Sequence, residues 1–280
     1  MRKDHVAFSA PHVRIRCLLK EINMNLRFWI KTALYLLTPG GYGNYRNLHR
    51  YYDSNYVHER DSHPVRRKHY ASSGWQQQQQ GEVVYRDYEN YAEYLTHQRQ
   101  KFDEMLKIRG GFSNKEVTGY RLRFYRRFRW LPSFLPKDAC IVCAGARQGM
   151  EVEVLRDLGF INAYGIDLNP GPENPFVQVG DFMHIDNTDS SVDLIYTNCV
   201  DHAFNLDDFF AEHARVIKPE GYALYDLAMG GAGPFEAVAW ESDEDVFLMM
   251  LRYFKTVLRV EVDSDWKWIL LQGKREAKPS

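Results

Sequence analysis

The sequence is short of cysteine, of long apolar runs and of net charge. Its 4 cysteines in 280 residues are too few for the disulfide framework of a secreted domain, so a reducing compartment, the cytoplasm, is expected. No apolar stretch approaches the roughly 18–20 residues that cross a bilayer, so no transmembrane segment is expected. The first residues are charged but lead into no apolar core with a small-residue cleavage site, which argues against a signal peptide. Formal net charge is −1, from 36 Lys+Arg and 37 Asp+Glu. The rest of the composition, 45% hydrophobic and 26% charged, excludes a wholly disordered, collagen-like or coiled-coil chain.

The near-zero total conceals an asymmetry. Residues 1–70 carry 13 basic and 5 acidic side chains, residues 71–138 carry 12 and 8, and residues 139–280 carry 11 and 24. The front half is therefore +12 and the back half −13. The boundary near residue 138 is also where the hydrophobic pattern changes. We divide the chain into a basic N-terminal extension (1–84), a helical lid or substrate region (85–138) and a regular α/β domain (139–273).

Within the extension, Arg27–Leu37 is apolar apart from Arg27, Lys31 and Thr32, and ends at Thr38-Pro39-Gly40-Gly41, which cannot continue a helix cheaply. It reads as a helix docked on the protein's own surface, or as an interfacial helix making peripheral contact with a membrane. Residues 40–80, with the glutamine run Gln76–Gln80, hold too few aliphatics to bury much surface and read as loops. A helix is expected over Tyr85–Lys107, with Tyr88, Tyr91, Leu95, Phe102, Met105 and Leu106 on one stripe, ended by Gly110-Gly111. A second is expected over Val117–Trp130, with Tyr120, Phe124, Phe128 and Leu131 aligned. Its five arginines (Arg121, Arg123, Arg126, Arg127, Arg129) alternate with aromatics. They suit either a solvated face or a nucleic-acid backbone.

From Cys140 short apolar runs alternate with helical patterns, which argues α/β with a mainly parallel sheet. Strands are expected at Cys140–Ala144, Ala163–Ile166, Phe176–Val179, Val192–Thr197 and Tyr222–Leu227, with helices at Met150–Leu158, Leu206–Ile217 and Asp243–Tyr253. Lys218-Pro219-Glu220-Gly221 reads as a turn, and Asp243-Glu244-Asp245 as charges complementing a helix start. Thr256–Val262 and Trp266–Gln272 are too close for a parallel crossover and must form an antiparallel pair. Cys140 and Cys143 lie three apart on a strand and so point to opposite faces, which argues against a metal or disulfide pair.

The chemistry gathers at the strand ends. The first strand runs into Gly145-Ala146-Arg147-Gln148-Gly149 and then a helix, whose free N–H groups suit an anionic group. Asp167 ends the second strand, 22 residues after Gly145, and suits ribose hydroxyls. Gly180-Asp181-Phe182 ends the third, where an acid suits an exocyclic amine. The ordered set points to a nucleoside-type cofactor. The dinucleotide fingerprint G-x-G-x-x-G is absent, since Arg147 stands at its second glycine, and so is a P-loop. A ligand with ribose and adenine but no phosphate fits better.

These segments, with Arg215-Val216-Ile217-Lys218-Pro219-Glu220-Gly221-Tyr222 after them, resemble in order the motifs of class I S-adenosylmethionine-dependent methyltransferases, of the methyltransferase type 11 kind. The resemblance covers about residues 138–272. It implies a Rossmann-like, seven-stranded, mostly parallel sheet with an antiparallel last strand, here preceded by an N-terminal helical extension. S-adenosylmethionine would be the cofactor. Carried over, Gly145, Ala146, Arg147 and Gly149 hold the methionyl part, Asp167 the ribose, Leu168 flanks the adenine, and Asp181 with the Phe182 backbone holds its amine edge. Two departures from the family pattern are Cys143, where an acid is usual, and Arg147, where a glycine is usual. The GAR-x-G-x-E variant is similar to a subgroup associated with polysaccharide and small-molecule biosynthesis. Arg147 would there pair with the cofactor carboxylate and Glu151 with its ammonium; otherwise Arg147 faces solvent and Glu151 complements the helix dipole.

In the family, the loop Thr197-Asn198-Cys199-Val200-Asp201-His202 borders the transferred methyl. Asn198 is counted with the cofactor residues and His202 is the candidate general base. Tyr91, Tyr94, His97, Gln98 and Lys101 resemble a Y-x-x-Y-x-x-H-Q-x-x-K helix that precedes the domain in similar bacterial proteins, as a lid or simply as a packed helix. The expected activity is methyl transfer to a hydroxyl of a sugar or other small molecule. The alternatives are an RNA methyltransferase using the basic half, and a non-catalytic cofactor-binding or membrane-associated module. No metal is expected.

Overall fold

The computed structural model describes residues 26–34, 78–80, 83–109, 114–170, 174–228, 235–240, 242–263 and 266–275. Side chains from 102 to 116 and from 78 to 80 lie outside the description, as do Thr38–Gly41, Gly110 and Gly111. Helix α1 spans residues 26–34. It is followed by β1 (Gln78–Gln80), β2 (Val83–Tyr85), α2 (Tyr91–Arg109) and α3 (Asn114–Phe128). Then come β3 (Ile141–Ala144), α4 (Met150–Asp157), β4 (Ala163–Asp167), β5 (Val177–Val179) and β6 (Val192–Thr197). The chain ends with α5 (Leu206–Val216), β7 (Ile217–Ala228), β8 (Val238–Trp240), α6 (Asp243–Tyr253), β9 (Phe254–Asp263) and β10 (Trp266–Lys274).

Seven strands form one sheet in the order β5-β4-β3-β6-β7-β10-β9. The pairs β3–β4, β4–β5, β3–β6 and β6–β7 are parallel, and β10 runs antiparallel to both β7 and β9. This is the expected mostly parallel sheet with its last strand reversed. The strand order turns back between β3 and β6, and the ends of those strands form the crevice where open α/β sheets bind ligands.

Alternation along the strands builds a core on each face. Ile141 and Cys143 face one cluster with Trp268 and Leu270; Val142 and Ala144 face the other with Ile269 and Leu271. Cys140 packs with the second cluster, opposite Cys143, and neither is in a disulfide. α3 lays Val117, Phe124 and Phe128 onto the first core, followed by Leu131, as the stripe required.

Three expectations need correction. Tyr85 belongs to β2, not to a helix; β1, β2 and β8 form a small antiparallel sheet, with Val83 opposite Trp240. The last three glutamines of the run form strand β1 and not loop. Lys218–Gly221 lies inside β7: Ile217 pairs with Val192 and Tyr222 with Leu194, so these four residues loop out opposite Asp193 without ending the strand.

The charge asymmetry is partly matched inside the molecule. Arg121 of α3 is fully buried and donates to Glu153 at 2.5 Å and to Asp157 at 2.7 Å, both on α4. Lys31 of α1 joins the same carboxylates at 3.1 and 2.8 Å. Arg127, also buried, pairs with Asp226 of β7 at 3.0 Å. Helix α1 is thereby docked on α3 and α4, with Phe28 buried and its ring stacked on Tyr125 at 4.4 Å. Its outward side carries Leu26, Trp29 and Ile30. Among the described residues no helix is long and apolar enough to cross a membrane.

Candidate active site

The glycine loop leaves β3 through Gly145, whose φ of 74° only glycine adopts without strain. A Cβ there would sit 3.0 Å from Cys199 Sγ, a tight contact that adds to the conformational demand for glycine. Arg147 also has a positive φ, 32°, and so keeps a glycine-like backbone at the position where the family has glycine. A non-glycine residue in that region costs about 1–2 kcal/mol, and such strain marks sites where the side chain is needed. Asp167 holds the turn: Oδ2 accepts from Arg147 N–H at 3.0 Å and Oδ1 from Asn169 N–H at 2.8 Å. The Arg147 carbonyl accepts from Asn174 Nδ2 at 2.9 Å. Ala146 is buried, Gly149 caps α4 with φ 74°, and Leu168 is half-buried beside Asp167.

Two buried groups here are poised for a ligand. Gln148 Nε2 has no hydrogen-bond partner among the described residues. Glu151, in the first turn of α4, is buried, and burial pushes its carboxyl up to about 8. The charge of Arg147 opposes that rise, while Asp167 adds to it. An uncompensated carboxyl and an orphan donor beside a strained arginine fit an amino-acid end carrying both charges. The two aspartates at neighbouring strand ends fit a ribose and an amine. The residues present thus fit S-adenosylmethionine.

Asp181 is braced from the helix before the domain. Its Oδ1 accepts from Met183 N–H at 2.8 Å and its Oδ2 from the Tyr91 hydroxyl at 2.5 Å. Burial raises the Tyr91 phenol above its ordinary range, and the Asp181 carboxylate adds to the rise, so it stays a donor. Phe182 is buried edge-on to Phe209 at 5.5 Å. Asn198, half-buried at the end of β6, accepts from Cys199 Sγ at 3.3 Å. Burial pushes the Cys199 thiol up to about 12, so it stays protonated and is no nucleophile.

Helix α2 also reaches the segment after β6 and Phe235. Tyr94 donates to the His202 carbonyl at 3.0 Å and Gln98 to the Phe235 carbonyl at 2.9 Å. His97 bonds Tyr88 at 2.8 Å and stacks on Phe235. Lys101 is buried with Nζ 2.5 Å from His202 Nε2. His202 Nδ1 lies 3.0 Å from the Phe235 carbonyl. A carbonyl only accepts, so Nδ1 carries the hydrogen and Nε2 offers its lone pair to Lys101. Burial, with the charge of Arg147, lowers the Lys101 ammonium to about 8.

Ligand-type atoms of Asp201, His202 and Glu236 lie within 4.8 Å of one another. The cation held on His202 is Lys101. Sequence reasoning missed Glu236, because no motif marks a segment that enters the site through the small sheet. Of the five arginines in and just after α3, Arg121 and Arg127 are interior, Arg123 lies over the rings of Tyr120 and Trp266, and Arg126 and Arg129 are exposed.

Residues 142–225 match the family model described as a methyltransferase domain. No curated protein matches the chain. Among solved structures, 1,6-didemethyltoxoflavin-N1-methyltransferase from Burkholderia thailandensis, with bound 1,6-didemethyltoxoflavin and S-adenosylhomocysteine, has a TM-score of 0.54 at 14% identity. The similarity covers 69% of this chain and 95% of that one. A SAM dependent methyltransferase from Aquifex aeolicus has a TM-score of 0.44 at 20% identity, covering 57% and 98%. With the motif order and the reversed last strand, the match places a methyltransferase domain over residues 142–225, on the fold of the class I S-adenosylmethionine-dependent methyltransferases.

Proposed function

We propose that the protein methylates a hydroxyl group of a small molecule or sugar, and that Lys101, positioned by His202, receives the hydroxyl proton. The observation that carries this reading is the buried Lys101–His202 contact at 2.5 Å. Bound S-adenosylmethionine supplies a methyl group on a positively charged sulfur. An acceptor oxygen methylated there would have to shed its proton. Neutral Lys101 takes that proton. His202, the base expected from sequence, has its Nε2 lone pair turned to Lys101 and its Nδ1 hydrogen to Phe235. It therefore orients Lys101 instead of meeting the substrate.

On the cofactor side, Asp167 binds the ribose and Asp181, aimed by Tyr91, the adenine amine. Leu168 flanks the adenine and the Phe182 backbone joins Asp181 at its amine edge; Asn198 and the Gly145–Gly149 loop line the methionyl end. Arg147 takes the carboxylate and Glu151 the ammonium, the arrangement expected of the GAR-x-G-x-E variant. The orphaned Gln148 amide and the strained Arg147 support this assignment. Helix α2 is the substrate-side wall, since it reaches both Asp181 and His202. The buried pairs of Arg121 and Arg127 weigh against an RNA platform along α3. Incubation with methyl-labelled cofactor and fractionated extract tests the reading: label is expected in the small-molecule fraction, not in RNA.

A further inference from the structure

Strand β9 lies at the edge of the seven-stranded sheet, and no described strand pairs with its outer side. Long unpaired edges are templates for further pairing, and proteins blunt them with Pro, charges, bulges or short length; β9 has no Pro, and its bulge leaves Arg259–Val262 regular. β9 is ten residues long and exposes Leu258 (47%), Val260 (46%) and Val262 (65%). Its only irregularity is at Leu258: Leu270 pairs with Arg259 and Leu271 with Val257, leaving Leu258 as a bulge that bounds the regular edge.

The edge is self-complementary. Read outward from Val260, the neighbours are Arg259 and Glu261, then Leu258 and Val262. Two antiparallel copies centred on Val260 would set Val260 against itself and Arg259 against Glu261 twice, with the bulged Leu258 beside Val262 at each end. Both kinds of pair are favourable across strands. Arg259 already contacts Glu261 within the strand and lies 5.3 Å over the rings of Trp130 and Trp268, which fixes it on one face of the sheet. Shifting the register by one residue would place like side-chain types out of step, so the charge pattern selects a single register.

We propose that a second copy of this chain occupies the β9 edge, forming a two-fold symmetric dimer whose sheets join through antiparallel β9–β9 pairing about Val260. A two-fold interface uses the same patch on both subunits, which is what a palindromic strand supplies. Edge pairing of this length buries less than a standard interface, so the dimer is weak and concentration-dependent.

Sedimentation velocity of the full chain over a concentration series tests this. A monomer–dimer equilibrium is expected for the unaltered protein. Glu261→Arg sets like charges across the edge and should weaken association by about tenfold or more; combining it with Arg259→Glu restores complementarity and should restore the dimer. Val260→Cys should form a disulfide-linked dimer on oxidation, since each copy meets its own residue 260, whereas Leu258→Cys should not. Unchanged thermal unfolding of the variants separates loss of pairing from loss of fold. A protein that stays monomeric throughout, an unaffected Glu261→Arg dimer, or a Val260→Cys variant whose new thiol crosslinks only within its own chain would each overturn the proposal.

Discussion

Lys101 Nζ lies 2.5 Å from His202 Nε2, at a point where the histidine ring is already anchored by its other nitrogen on the Phe235 carbonyl. The two groups are far apart in sequence and come together because α2 crosses the mouth of the sheet. In the proposed reaction Lys101 is the base and His202 its support, and pH separates the two roles. Lys101 is lowered from 10.5 to about 8, chiefly by burial, so the neutral amine forms as pH rises through about 8. Turnover is expected to climb through that range and level off above it. Lys101→Met should lower turnover by about 10²–10⁴-fold and flatten the limb. His202→Ala should move the midpoint and leave the limb. A limb lost in His202→Ala but kept in Lys101→Met would reverse the two roles.

Asp167 works twice, as a strand-end carboxylate and as the acceptor that closes the glycine loop on Arg147 N–H. Asp167→Ala should abolish cofactor binding in calorimetry. Unchanged affinity would remove the cofactor assignment from this strand end.

Arg147→Gly separates conformation from chemistry. It relieves about 1–2 kcal/mol of backbone strain while adding about 0.4–1 kcal/mol of unfolded-chain entropy cost. Stability by urea denaturation should therefore change little. Affinity for S-adenosylmethionine should fall, and affinity for an analogue lacking the carboxylate should not. Equal loss for both ligands would argue against a carboxylate contact.

Glu151 carries a sign that is easy to test. Its folded-state value is raised from 4.5 to about 8 by burial, so the folded protein binds the extra proton between those values. The stability it contributes is present in full below about 4.5 and is lost as pH rises through about 8. Glu151→Gln should abolish that part of the pH dependence of thermal unfolding, raising the cofactor-free protein's melting temperature more at about pH 8 than at about pH 5. Cofactor binding near neutral pH should be accompanied by proton release in the parent and not in the variant.

The buried Arg121–Glu153–Asp157 cluster predicts a stability contrast along one helix. Arg121→Ala leaves two interior carboxylates poorly compensated and should cost about 3–5 kcal/mol. Exposed Arg126→Ala should stay within about 0.5 kcal/mol. Equal effects in urea melts would contradict the docking of α3 and α1 on α4.

The parallel half of the fold was legible because its strands include short apolar runs, with β3 closed by Gly145 and β4 by Asp167, and Val192–Thr197 and Asp243–Tyr253 match their expected bounds. The sheet β1-β2-β8 was not, since three-residue strands carry no usable period and Gln78–Gln80 owes its strand to long-range pairing. Tyr85 continues an aromatic spacing that resembles a helix, yet its backbone is committed opposite Val238. Asp167 and Asp181 announced themselves at strand ends. Glu236 and the Lys101–His202 contact are products of tertiary packing alone, and spacing could not anticipate them. The arginines of α3 looked alike in sequence; burial divides them.

The most direct test of the proposed reaction is the identity of the methylated atom. The protein would be incubated with ¹³C-methyl S-adenosylmethionine and fractionated extract, and the labelled product's carbon spectrum recorded, since a methyl on oxygen is distinguished from one on nitrogen or sulfur by its chemical shift. The expected result is an O-methyl group on a small molecule, formed faster as pH rises through about 8. An N- or S-methyl product, or label carried by RNA, would contradict the account.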